Sequence, residues 1–174
     1  MPVAALYDIH ANLPALEAVL EEVAEANIDY IVVGGDVVPG PMPRETLQCL
    51  LAIEKPVQFV RGNGDTEVVG FRRGTPTETV REAYREVMRW NAEQLDHEQE
   101  SVLARWPETA CLQIPQLGDV LFCHATPRND TEILTRVTPE SSLLPCFRWS
   151  ECDPRCLWSY SHAIRPNDWA HSSH

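Results

Sequence analysis

The sequence predicts an α/β fold on a parallel sheet, and three observations carry that prediction. Short apolar runs end abruptly in polar residues, as buried parallel strands do at the carboxyl edge of a sheet. Leucines and valines then return at helical spacing. The alternation repeats, so that successive strands each deliver a polar cluster to the edge where open α/β sheets bind ligands. With 174 residues and 44% hydrophobic content, the chain is long enough for one domain with a real core and short for two.

The first run, Val3 to Tyr7, stops at Asp8. Asn12 is placed to cap a helix with Pro14 in its first turn and Leu13, Leu16, Leu20 and Val23 along it. The second run, Tyr30 to Val33, leads into Gly34-Gly35-Asp36, and a helix is expected from Pro43 to about Ile53 with Leu47, Leu50 and Leu51 on one face. The third, Val57 to Val60, leads into Arg61-Gly62-Asn63-Gly64-Asp65. Between about Thr77 and Trp106, rich in Glu, Arg and Ala, one or two amphipathic helices are expected, with Val80, Tyr84, Val87, Leu95, Val102 and Leu103 as apolar positions. Cys111–Ile114 and Val120–Cys123 then read as paired strands around a turn, the second ending in His124.

Composition narrows the partners. A formal net charge of −12 and a pI near 4.8 oppose strong nucleic-acid binding, which needs basic faces. No stretch approaches the roughly 18 apolar residues of a membrane span, and the N-terminus lacks the pattern of a secretion signal. A cytoplasmic protein with reduced thiols at its six cysteines is the expectation.

The strand ends present Asp8 and His10, then Asp36, Asn63 and His124. Singly, each is most simply a cap, a turn former or a surface histidine. Jointly, two carboxylates, two imidazoles and an amide oxygen suit first-row divalent ions such as Mn²⁺, Fe²⁺, Ni²⁺ or Zn²⁺. The order D-x-H (Asp8, His10), G-D (Gly35, Asp36), G-N (Gly62, Asn63) and a histidine after a strand (His124) resembles the signature of calcineurin-like metallophosphoesterases over about residues 3 to 145. The His-Ala-Thr-Pro run at His124 looks closest to their small bacterial phosphodiesterase-like branch. The resemblance implies an αββα sandwich, with Asp8, His10 and Asp36 on one metal and Asp36, Asn63 and His124 on a second. It further implies a small phosphate-ester substrate attacked by metal-activated water, with Asp36 and Asn63 central and Arg61 on the phosphate. Where many members read G-N-H-D/E, this chain reads Gly62-Asn63-Gly64-Asp65, which removes a histidine often cast as general acid.

The family's closing G-H-x-H motif is absent from the sequence. Residues 146–174 hold three of six Cys, three of five Trp and three of six His, a composition unlike residues 1–145 and without periodicity, so an irregular tail is expected there. A zinc cluster of Cys146, Cys152, Cys156 and His162 is disfavoured because its spacings match no standard pattern. The genetic code offers another account. Trp158 to His162, written TGG-TCN-TAY-TCN-CAY and read one base along, forces Gly and permits His-Thr-His. Arg155 to Leu157 then permits Val-Val-Cys, an apolar strand leading into that motif. A single-base shift near codon 145 is therefore expected, leaving a domain over 1–145 that is incomplete at its C-terminal end and impaired in activity. The rival class is a non-catalytic α/β binding or regulatory module. A receiver-like version would need a late sheet lysine, and the only lysine, Lys55, precedes the third strand.

Overall fold

The computed structural model describes residues 1–78, 80–147 and 157–159. Strands β1 (Val3–Leu6), β2 (Tyr30–Val33) and β3 (Val57–Phe59) form a parallel sheet in that spatial order, with Val3 opposite Tyr30 and Ile31 opposite Val57. Helix α1 (Leu13–Glu25) starts where expected: Asn12 Oδ1 accepts from the Ala15 amide at 3.3 Å, and Pro14 occupies the first turn. Helix α2 (Pro43–Leu51) buries Leu47 and Leu50 but leaves Leu51 exposed, because the buried stripe runs through Pro43, Thr46, Leu47 and Leu50.

Helix α3 (Asn63–Arg73) was not foreseen in a stretch bearing two glycines. It opens directly at Asn63 because the Asp65 carboxylate accepts from the Gly62 amide, closing the first turn. The segment expected to hold one or two helices holds two, α4 (Glu82–Gln94) and α5 (His97–Arg105). Asp96 caps α5 with Gln99 answering it. The apolar face expected of α4 is a correction: Tyr84 and Val87 are exposed, whereas Asn91 and Ala92 are buried.

Strands β4 (Thr109–Ile114) and β5 (Gly118–Cys123) form the expected hairpin, each longer than foreseen. A sixth strand, β6 (Leu157–Ser159), lies parallel to β5 inside the region expected to be irregular. Helix α6 (Glu140–Leu143) and a 3₁₀ turn (Leu144–Phe147) follow the hairpin; the rest of the tail lies outside the described residues. Cys111 is disulfide-bonded, against the expectation of reduced thiols, while Cys49 and Cys146 carry free thiols.

Two cores hold the layers together. Val33, Val37, Leu47, Leu50, Val68, Leu95 and Leu103 fill the one between the parallel sheet and its helices, with Phe59 and Trp106 stacked at 4.6 Å between ring centres. Val32, Val60, Ala110, Ile114, Val120 and Phe122 fill the other, between the two sheets. Helices, sheet and sheet are three layers of the αββα sandwich. The sheet-on-sheet core sets the carboxyl end of β5 beside those of β1, β2 and β3, which brings His124 to loops more than sixty residues earlier. Among the described residues, no helix is long and apolar enough to cross a membrane.

Candidate metal centre

Asp8, His10 and Asp36 each offer a ligand atom, and these atoms lie within 4.8 Å of one another. The loops that bring them together are wound into the left-handed region, with φ of 52° at Asp8, 46° at His10, 48° at Ala11 and 53° at Asp36. Non-glycine residues adopt this conformation rarely and at a cost, and such strain concentrates at functional sites. It is held by backbone bonds between the first two loops: the amides of Asp8, His10 and Ala11 donate to the carbonyls of Gly35, Asp36 and Val37.

Asp36 is the hub. Its Oδ1 accepts from the Gly64 amide at 2.7 Å, which turns Oδ2 toward His10 Nε2 at 3.8 Å and His124 Nε2 at 3.5 Å. Both imidazoles are oriented from behind. His10 Nδ1 donates to the Pro39 carbonyl at 3.2 Å and His124 Nδ1 to the Gly34 carbonyl at 3.1 Å. An Nδ1–H so engaged turns Nε2 toward the shared carboxylate, the arrangement by which proteins fix metal-ligating histidines.

Asn63 completes the second side. Its amide tip lies 3.2 Å from His124 Nε2 and 3.1 Å from the Asp130 carbonyl. With the nitrogen inward, the amide donates to both and its oxygen accepts from the Gly64 amide; with the oxygen inward, three acceptors converge, which a cation between them would satisfy. The donor set of carboxylate, imidazole and amide oxygen thus fits divalent ions on both sides of Asp36.

The glycines of the G-D and G-N pairs are steric necessities. A Cβ on Gly62 would lie 2.3 Å from Asp36 Oδ1, and one on Gly35, whose φ is +98°, would lie 2.6 Å from the Gly62 nitrogen and 2.9 Å from His124 Nδ1. Gly64 has no room for a side chain in this backbone: a Cβ would lie 2.6 Å from the Val38 carbonyl oxygen.

Two titrating groups register the crowding. Burial opposes charge on His124, but its hydrogen bond and attraction to Asp36 outweigh that and raise its pKa to about 9. Burial raises the Asp65 carboxyl to about 7, against two backbone amides, those of Val38 and Gly62, that favour the carboxylate. Asp65 ties the loop after β2 to the start of α3, a role that only the capping spacing from Gly62 could have signalled. The carbonyls of Pro39, Gly34 and Asp130 carry no side-chain signal at all.

Arg61 is placed differently. Its guanidinium donates to the Ala104 carbonyl and to Glu108, both at 3.2 Å, and its amide donates to the Pro107 carbonyl. These contacts join the end of β3 to the α5–β4 connection, and among its described contacts none is with Asp8, His10, Asp36, Asn63 or His124. The zinc reading of the tail lies outside the described residues apart from Cys146, which is buried with Sγ on the Ser142 carbonyl.

Residues 1–144 match the family model of the calcineurin-like phosphoesterase superfamily domain. Among solved structures, a metallophosphoesterase from Sphaerobacter thermophilus is similar at 30% identity and a TM-score of 0.57, over 75% of this chain and 49% of that one. A hypothetical protein, PH1004, from Pyrococcus horikoshii OT3 shares the fold at 24% identity and a TM-score of 0.71, over 84% of this chain and 64% of that one. No curated protein matches. The chain thus spans about half the length of the first relative and under two thirds of the second. A family match over most of its length, falling on the residues that gather around Asp36, means that the chain belongs to the calcineurin-like phosphoesterase superfamily.

Proposed function

We propose that this chain is built to hydrolyse phosphomono- or phosphodiesters with water activated between two divalent ions, Mn²⁺ foremost and Fe²⁺, Ni²⁺ or Zn²⁺ otherwise. Asp8, His10 and Asp36 would hold one ion and Asp36, Asn63 and His124 the other. Bound there, the pair would supply an acidified water as nucleophile and neutralise charge growing on the phosphoryl oxygens. The observation that carries this reading is the one carboxylate oxygen, Asp36 Oδ2, facing two imidazole Nε2 atoms whose tautomers are set by backbone carbonyls.

The remaining residues do conventional work around that centre. Gly64 orients Asp36 through its amide and contributes no proton donor, so leaving groups that depart without protonation are favoured. Arg61 reaches a substrate phosphate only by giving up Glu108. The absence of G-H-x-H leaves each ion one imidazole short, and low activity follows for this polypeptide, with residues 1–145 as the catalytic unit. The family match ending at residue 144 supports that boundary.

Elemental analysis after Mn²⁺ loading, run beside turnover of bis(p-nitrophenyl) phosphate, tests the reading. Two equivalents of metal per chain support it even at low turnover, and no bound metal sinks it in favour of a non-catalytic module. Sequencing the gene tests the tail: bases under Trp158 to His162 that do not spell Gly-His-Thr-His one base along remove the reading-frame account.

A further inference from the structure

The exposed face of α4 meets the loop after β2, the loop that begins at Asp36. An open cavity of about 490 Å³ is lined by Gly40, Pro41, Glu86, Val87, Trp90 and Asn91, within the size range of small-molecule sites. Val87 and Trp90 stand 46% and 44% exposed, and Tyr84, one turn earlier on the helix, 54%. Large apolar side chains at three-residue spacing on a helix ordinarily face the core. Here the core side is taken by Ala92 and the buried Asn91.

Asn91 fixes the cavity to the loop after β2. Its Oδ1 accepts from the Gly40 amide and its Nδ2 donates to the Val87 carbonyl, each at 3.0 Å. Gly40 in turn lies against the backbone of His10: a Cβ there would sit 1.7 Å from the His10 carbonyl oxygen. The neighbouring Pro39 carbonyl holds His10 Nδ1. One wall of the cavity is therefore the segment that orients a metal ligand. The lining contains no cation, and Glu86 would repel a phosphate, so the cavity suits a neutral flat group rather than the phosphoryl end.

We propose that this cavity seats an aromatic ring of the phosphoester, aryl or nucleobase, stacked on Trp90 while the phosphoryl group lies at Asp36. The assignment rests on the phosphoesterase reading above. Ring stacking on a protein aromatic should give a preference of about tenfold for aromatic over methyl substituents.

Non-hydrolysable probes test it on the full chain loaded with Mn²⁺, by calorimetry. Phenylphosphonate should bind about tenfold more tightly than methylphosphonate, and a nucleoside monophosphate binding more tightly than phenylphosphonate would mark the ring as a nucleobase. Trp90→Ala should erase the preference while leaving methylphosphonate binding intact, and Trp90→Phe should restore it. Equal binding of the two phosphonates overturns the aromatic subsite but leaves the phosphoesterase standing; binding of neither brings down both. A Trp90→Ala chain that changes from dimer to monomer in sedimentation, with the preference unaltered, would instead make this face an interface between copies.

Discussion

The two sides of the candidate metal centre are built by different means. Asp8 and His10 come from a single loop two residues beyond β1, held to the next loop by backbone bonds; both are exposed, the His10 side chain by 50%. Asn63 and His124 come from the start of α3 and the end of β5, in different layers, and the His124 side chain is only 10% exposed. The first side is local and open to water. The second exists only once the two sheets have packed, so its ligand geometry depends on Val32, Val60, Val120 and Phe122 as much as on the ligands. Metal bound on the second side should therefore be more strongly coupled to folding.

The largest effect should come from the atom the two sides share. Asp36→Asn should reduce metal binding on both sides by more than about 100-fold, since losses of mere supporting contacts already cost about 10–100-fold. A competitive titration with a chromogenic chelator would read it, and retention of either ion at wild-type affinity would refute a shared hub.

Next in size is the brace between the sides. Asp65 accepts from Val38 and Gly62 with different oxygens, so Asp65→Asn must point an amide N–H at an N–H donor. A cost of about 1–3 kcal/mol in urea unfolding is expected. The folded carboxyl, raised to about 7 from an ordinary value near 3.8, binds protons more readily than the unfolded one. Its contribution to stability is thus fully present below the ordinary value and is lost as pH rises through about 7. Asp65→Asn should flatten that slope.

Single-ligand variants separate the sides. His10→Ala should abolish one equivalent of bound metal and spare the other, and His124→Ala the converse, read by equilibrium dialysis with elemental analysis. The His124 side should show a steep pH dependence. Without metal, the ring is protonated up to about 9, so binding there must displace a proton and strengthens as pH rises toward that value. By linkage, stability from the protonated ring in the metal-free chain is full below 6.5 and disappears as pH climbs through about 9. Saturating Mn²⁺ should remove that second dependence.

The smallest effect is expected at Glu108→Ala. Its pairing with Arg61 is solvent-exposed on the Glu side, and such pairs contribute about 0–1 kcal/mol. A gain in phosphonate affinity on freeing Arg61 would show that the guanidinium can reach substrate; no change would fix it as a structural tie.

How much of this was legible before any coordinates depended on where the information resides. Asp8, His10, Asp36, Asn63 and His124 follow apolar runs, and a run that ends in a polar residue is visible in one dimension. Asn12 as a cap and the β4–β5 hairpin were legible for the same reason. Helix α3 was hidden because Gly64 and Gly70 lower local helix propensity, while the bond from the Val38 amide that helps hold Asp65 at its first turn is a tertiary one. Tyr84 and Val87 misled because periodicity reports that a helix has an apolar face without saying what covers it. Arg61 was legible as a charge beside the motif, but its partners Ala104 and Glu108 lie more than forty residues away.

The left-handed turns at Asp8, His10, Ala11 and Asp36 have a consequence for how such a chain could be made sturdier. Each would relax if occupied by glycine, yet three of the four positions, Asp8, His10 and Asp36, are candidate metal ligands. Selection for robustness alone would erode the proposed ligand set residue by residue, whereas keeping that set holds this corner of the molecule under tension.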